Sequence, residues 1–391
     1  MANAGLEQSR VTAGNWQEPE SLRWSFLHMD ELFPTASIEA TRSRATELQE
    51  NPRDFRGLKV TLPDGSASTV AEILAATNTD AWMVLHGNEI RAQEYFGGMN
   101  PGTRHLLMSV SKSIVSTVVG VLVAQGKVDT SERIDHYIPE LAASGYRGAT
   151  VRDVLDMRSG IRFSEEYLDE SSEVRQLDRA VGWAPRSAGD AATLKEFLAG
   201  LQQEREHGGH FAYRSCETDV LGWLCEAASG RKFADVASDV LWTRLGARHD
   251  AYIAVDAAGT GMFDGGICAT LEDMARFGAM IRDGGLSLDG QRVLESAWVE
   301  DIFAGGPESG AAFAAATESE VMPGGKYRSQ FWFLSDDWET AYCLGIHGQM
   351  VYINRTSGVV GVKFSSTALP VDPMAGPAAA AMFEAISRSL S

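Results

Sequence analysis

The chain has 391 residues, enough for a large core spread over two or three domains, or over one domain with a big insertion. Hydrophobic residues make up 44%, ordinary for a globular protein, and 53 acidic against 34 basic side chains give a net charge of −19. A surface this acidic repels phosphate backbones, which argues against a nucleic-acid partner.

Taken in chain order, residues 1–19 are polar and lack both the basic and the apolar stretch of a secretory signal. Residues up to 68 are rich in Pro, Glu, Arg and Ser without sustained periodicity and predict an extended N-terminal arm. The first strand signal is residues 81–85, followed by a His86-Gly87-Asn88 turn and a second run at 89–96, a hairpin. Ser109 then precedes a nearly all-apolar helical run ending near Gly126. The longest apolar stretch, 114–124, is too short to span a bilayer, so no membrane partner is expected. Thr150-Val151-Arg152-Asp153 has the form of a capping box and predicts a short helix stopping near Ser159-Gly160. Residues 192–204, 217–228 and 233–245 read as helices, and Thr270-Leu271-Glu272-Asp273 opens another that Gly284-Gly285 ends. Residues 330–334, 340–346, 350–354 and 359–365 are short aromatic or β-branched runs, and 377–390 reads as a closing helix.

These signals predict an α+β protein, with one antiparallel sheet assembled from both ends of the chain. Its segments would be the arm (1–68), an α/β domain from 69–160 and 265–391, and a mainly helical domain over 161–264. The four cysteines, Cys216, Cys225, Cys268 and Cys343, have neither zinc spacing nor the density of a disulfide framework. A cytoplasmic, reduced protein is the simplest expectation, and self-association as a homodimer is left open.

The chemistry concentrates in Ser109-Val110-Ser111-Lys112. One helical turn separates the hydroxyl from the amine, so the two face each other. A serine becomes a nucleophile when a neighbour takes its proton, and a lysine shielded from water can be that neighbour. The same spacing recurs at Ser229-Gly230-Arg231-Lys232, but Gly230 should end a helix there and part the two side chains. Tyr213, just before the helix expected at 217, can aim its hydroxyl into a cleft. Free tyrosine and lysine titrate near each other, so a proton held between Lys112 and Tyr213 could sit on either.

Ser109-Val110-Ser111-Lys112 and Tyr213-Arg214-Ser215 resemble the first two motifs of the penicillin-recognising serine hydrolases, which include class C β-lactamases, DD-peptidases and family VIII carboxylesterases. Supporting segments are Lys127-Val128-Asp129, residues 137–141 and 151–161, and Gly265-Gly266-Ile267. Within the family, Leu106-Leu107-Met108-Ser109, Glu166-Tyr167-Leu168-Asp169, Gly182-Trp183 and Gly345-Ile346-His347-Gly348-Gln349 look like the 6-aminohexanoate-dimer hydrolases and their esterase relatives. The resemblance implies a β-lactamase/transpeptidase-like fold and catalysis by Ser109, Lys112 and Tyr213. It further implies that Tyr167, Asp178, Trp183 and Asp264 face the substrate. A carboxylate at Asp178 could hold a cationic amine. The family's third motif, Lys-Thr-Gly, is absent; the matching strand is Cys343-Leu344-Gly345-Ile346, which weakens a β-lactamase reading. The N–H groups of Ser109 and Ile346 are the expected oxyanion donors, with Gly345 allowing close approach to the strand. His347 is a rival catalytic candidate.

Other scans are weak. No Gly-x-Ser-x-Gly elbow occurs, His207-Gly208-Gly209-His210 lacks a third metal ligand, and Gly259-Thr260-Gly261 is a poor nucleotide loop. The expectation is an acyl-enzyme hydrolase of small esters, alternatively of linear amides, needing no metal or organic cofactor.

Overall fold

The computed structural model describes residues 11–41, 43 and 45–391. The reading of the first ten residues as a polar, non-secretory start lies outside these. The main sheet has eight strands in the order Lys326–Arg328, Phe331–Phe333, Thr340–Gly345, Gln349–Asn354, Val359–Ser365, Thr79–His86, Glu89–Tyr95 and Gln49–Glu50. Only the last pair runs parallel. The two chain ends meet where Val360 opposes Leu85 and Val362 opposes Met83. The sheet from both ends of the chain is therefore present, in an α+β, β-lactamase/transpeptidase-like fold.

Both faces of the sheet are covered, which is why its middle strands lack polar alternation: all but the last residue of Thr79–His86 is buried. Val360 and Gly361 point to opposite faces. On one face Gly278 of the helix Leu271–Arg282 sits so close that an added Cβ would lie 2.6 Å from Val360. On the other, Phe383 of the helix Ala375–Leu390 occupies the space a side chain at Gly361 would need, 2.3 Å away. Two glycines thus let a helix press onto each side.

A second sheet, too short-stranded to leave a periodic signal, runs in the order Thr35–Ile38, Ala251–Ala254, Ile267–Ala269, His105–Leu106. It delivers the chain to Ser109. The stretch read as an extended arm holds two short helices, Leu22–Ser25 and Met29–Leu32, and sends Trp16 and Phe26 into the core. Among the described residues no helix is long and apolar enough to cross a membrane.

Some boundaries differ from expectation. Ser109 lies in a 3-10 turn, Met108–Val110, and the α-helix proper is Ser111–Ala124. The Thr150 capping box is present, but its helix ends at Leu155, because Asp156 turns to Arg328 and Ser329 and Met157 takes a positive φ of 52°. The helix expected over 192–204 is confined to Leu194–Gly200, capped by Thr193. At the rival motif Gly230 ends the helix Ser215–Ser229 in the left-handed conformation, and Lys232 turns to the Gly259 carbonyl, 3.0 Å away.

Candidate active site

Ser109 is half-buried at the start of a helix whose residues 111–122 are all buried, an all-round burial that fits its Val-, Ile- and Leu-rich sequence. The turn that presents it is held tightly. Leu107 N–H donates to the Ile267 carbonyl at 2.9 Å, and Met108 adopts φ +48°, a left-handed conformation unusual for a side chain of its size. From the sheet side, Gly345 approaches so closely that a Cβ would lie 2.7 Å from the Leu107 oxygen and 3.1 Å from the Ser109 nitrogen. Gly345 was expected to make room for substrate; the structure shows it making room for the Ser109 turn. Ile346 follows it directly and lines the same cleft as Ser109.

Lys112 is 1% exposed. An ammonium has three N–H donors, and Lys112 Nζ finds three acceptors: Ser109 Oγ at 2.9 Å, Ser215 Oγ at 3.1 Å and the Asp264 carbonyl at 2.8 Å. Asp264 Oδ2 lies 3.6 Å from it. Burial works against the cation, but Tyr213, Asp264, Glu165 and Asp219 outweigh it and hold the lysine pKa above its ordinary value.

Tyr213 sits with its ring tilted against Trp332 at 5.2 Å and its face 5.4 Å from Lys112 Nζ. The three side chains predicted from two motifs therefore meet. Burial raises the phenol pKa, and the Lys112 cation opposes that. The following Arg214 fixes the turn: 2% exposed, it pairs with Glu217 at 3.2 Å and donates to the Ser159 and Ile161 carbonyls.

The cleft over Ser109 encloses about 620 Å³. Tyr167, Asp178, Trp183 and Asp264 all line it. Asp178 is on a helix the sequence did not betray, Glu173–Val181, is 7% exposed and accepts from Arg175 Nη1 at 2.5 Å. Burial pushes its carboxyl up to about 7 despite Arg175. His347 is 3% exposed; its Nδ1 lies 2.7 Å from the Thr367 carbonyl, and burial lowers its pKa to about 4. That environment suits a neutral ring bracing the Ile346 turn rather than an acid or base. His207 and His210 are taken up by the Gly160 N–H and by Arg205.

Several site residues escaped sequence reasoning. Glu165 accepts the Ser215 N–H, and burial raises its pKa. Trp16 and its neighbours 13–19 form one wall of the cleft. Ser215 could have been found as the residue two beyond Tyr213, opening the helix; Glu165 and Trp16 left no local signal.

A serine held by a buried lysine and a tyrosine, where an antiparallel sheet meets a helical layer, defines a serine hydrolase of the β-lactamase fold. The chain belongs to the β-lactamase family, whose family model matches residues 67–384. It is 39% identical over 362 residues to the 6-aminohexanoate-dimer hydrolase of Paenarthrobacter ureafaciens, covering 93% of this chain and 90% of that one. A Bacillus anthracis structure provisionally assigned the same activity superposes with a TM-score of 0.88 at 25% identity, over 99% of both chains. A family VIII carboxylesterase structure shares the fold, with a TM-score of 0.59 at 15% identity over 81% of this chain and 96% of that one.

Proposed function

We propose that this hydrolase cleaves short-chain carboxylic esters through an acyl-enzyme on Ser109. The observation that carries the reading is the 2.9 Å contact between Lys112 Nζ and Ser109 Oγ, with the Tyr213 ring 5.4 Å from the same Nζ. Ser109 Oγ attacks the carbonyl carbon while its proton passes to the Lys112–Tyr213 pair. The oxyanion forms against the N–H groups of Ser109 and Ile346. As the carbon–oxygen bond to the leaving group breaks, the pair returns the proton to the departing alkoxide. Water then attacks the acyl carbon, gives a proton to the pair, and Ser109 leaves with that proton restored. The attack runs from the form in which the pair has given up one proton, a Tyr213 phenolate beside the Lys112 ammonium, so Tyr213 takes the proton of Ser109 while the ammonium stabilises negative charge on Ser109 Oγ. The reaction as written draws on three side chains, two backbone N–H groups and water.

A second reading, hydrolysis of linear amides, is favoured by Asp178 in the cleft wall and by the activity named for the 39% identical relative. The chemistry is the same, with an amine as leaving group and Asp178 facing a substrate ammonium. A β-lactamase reading has less support, since the third-motif strand, Thr340–Gly345, offers no lysine.

The test is Ser109→Ala with a chromogenic acetyl or butyryl ester, beside labelling of the native protein by a fluorophosphonate. Turnover should vanish with the fold intact, and the label should sit on Ser109. Near-normal turnover in the variant, or no label in the native protein, would sink the assignment. A panel of esters and linear amides then ranks the two readings.

A further inference from the structure

One face of the helix Ser215–Ser229 governs Lys112 twice. Ser215 touches the ammonium directly. Asp219, one turn further along the same face, does not lie in the cleft and is fully buried. Its Oδ1 accepts both the Phe263 N–H, at 3.0 Å, and the Asp264 N–H, at 3.1 Å. The peptide it fixes is the one whose next carbonyl, that of Asp264, accepts from Lys112 Nζ at 2.8 Å. The same helix clamps this turn by packing as well: a Cβ at Gly222 would lie 2.0 Å from the Phe263 ring.

We propose that Asp219 is a positioning residue for Lys112, acting through the Phe263–Asp264 turn. The proposal rests on the reading of Ser109 and Lys112 given above. With three acceptors for three donors, losing the placement of one lets the ammonium swing, and the contact that loosens with it is Ser109 Oγ. A carboxyl group is expensive to bury here: Asp219 Oδ2 has no hydrogen-bond partner, and burial and then the Asp264 carboxylate push the Asp219 pKa well up. The groups facing it are Lys112 and Asp264. Packing alone would not call for a carboxyl group there; the double acceptor at Oδ1 is what an apolar residue could not supply.

The test compares Asp219→Ala, which removes the acceptor, with Asp219→Asn, which keeps one at the same place. Steady-state kinetics on a chromogenic ester and the rate of Ser109 phosphonylation by a fluorophosphonate are the readouts. Asp219→Ala should lower kcat about 100-fold, the scale of a misplaced catalytic group, with KM changed less than about threefold. Asp219→Asn should recover kcat to within about fivefold of the native enzyme. If the alanine variant does not fold, Asp219→Leu, which also lacks an acceptor, takes its place. A folded alanine or leucine variant with kcat within about threefold of native, or an asparagine variant as impaired as the acceptor-free one, overturns the proposal. Failure of the native protein to label at Ser109 would instead overturn the underlying reading, so the two failures are distinguishable.

Discussion

The indole N–H of Trp16 donates to the carbonyl oxygen of Trp183 at 2.9 Å, and the two rings meet edge to face with centroids 4.8 Å apart. This contact, spanning 167 residues of sequence, joins the N-terminal segment to the cleft wall. Phe33 and Phe26 complete the aromatic cluster around Trp16.

Truncating that anchor should therefore affect stability and substrate binding together. Trp16→Ala is expected to destabilise the protein by about 3–5 kcal/mol in urea unfolding, as large aromatic deletions from a core do. Trp16→Phe, which keeps a ring but loses the N–H donor, should cost only about 1 kcal/mol. In the alanine variant KM should rise by a larger factor than kcat falls, because the lost wall touches the cleft and not Ser109. An unchanged KM would count against the segment's role in the site.

Gly345 makes the opposite kind of prediction. Its φ of −137° is accessible to any residue, so the effect of Gly345→Ala comes from space alone. The added methyl would press on the Leu107 oxygen and the Ser109 nitrogen, displacing an expected oxyanion donor. We expect kcat to fall about 100-fold, with a stability loss of about 1–3 kcal/mol. A variant with native kcat would show that the Ser109 turn moves freely.

Asp178 supplies a pH signature. With its carboxyl pushed up to about 7 by burial, it gains its charge as pH rises through that value. KM for a cationic linear amino-amide should therefore fall between pH 6 and pH 8, measured relative to a neutral ester of similar length. Asp178→Asn should flatten that relative dependence. If the ratio of the two KM values is independent of pH in the native enzyme, Asp178 does not meet a substrate ammonium.

Lys363, in the middle of the main sheet and 1% exposed, donates to Ser365 Oγ, and burial lowers its pKa from 10.5 to about 7. Between those values the unfolded chain holds a proton that the folded one does not, so this group's effect is to weaken the fold as pH is lowered from about 10.5 towards 7. Below about 7 both states are protonated and the effect levels off. Lys363→Met should remove it. Unfolding free energies at pH 9.5 and pH 7 should show the variant gaining on the native protein by roughly 1–3 kcal/mol at the lower pH. An equal difference at both pH values would contradict a neutral buried lysine.

Much of this protein is written locally in its sequence. The buried helix announces itself through its Ile, Val and Leu residues from 114 to 123, and the hairpin and C-terminal strands do so through β-branched and aromatic runs. Ser109 and Lys112 are one turn apart, so chain geometry alone makes them neighbours, and Gly230 removes their rival by ending its helix. The small four-stranded sheet and the Glu173–Val181 helix were not legible, the first because strands of two to four residues carry no periodicity. What only the tertiary structure decided is the environment of the pair: which acceptors take the ammonium's three hydrogens, which carboxylates keep it charged, and which N-terminal residues wall the cleft. Those contacts join residues more than 100 positions apart, and their energies depend on burial and distance, which no local pattern encodes.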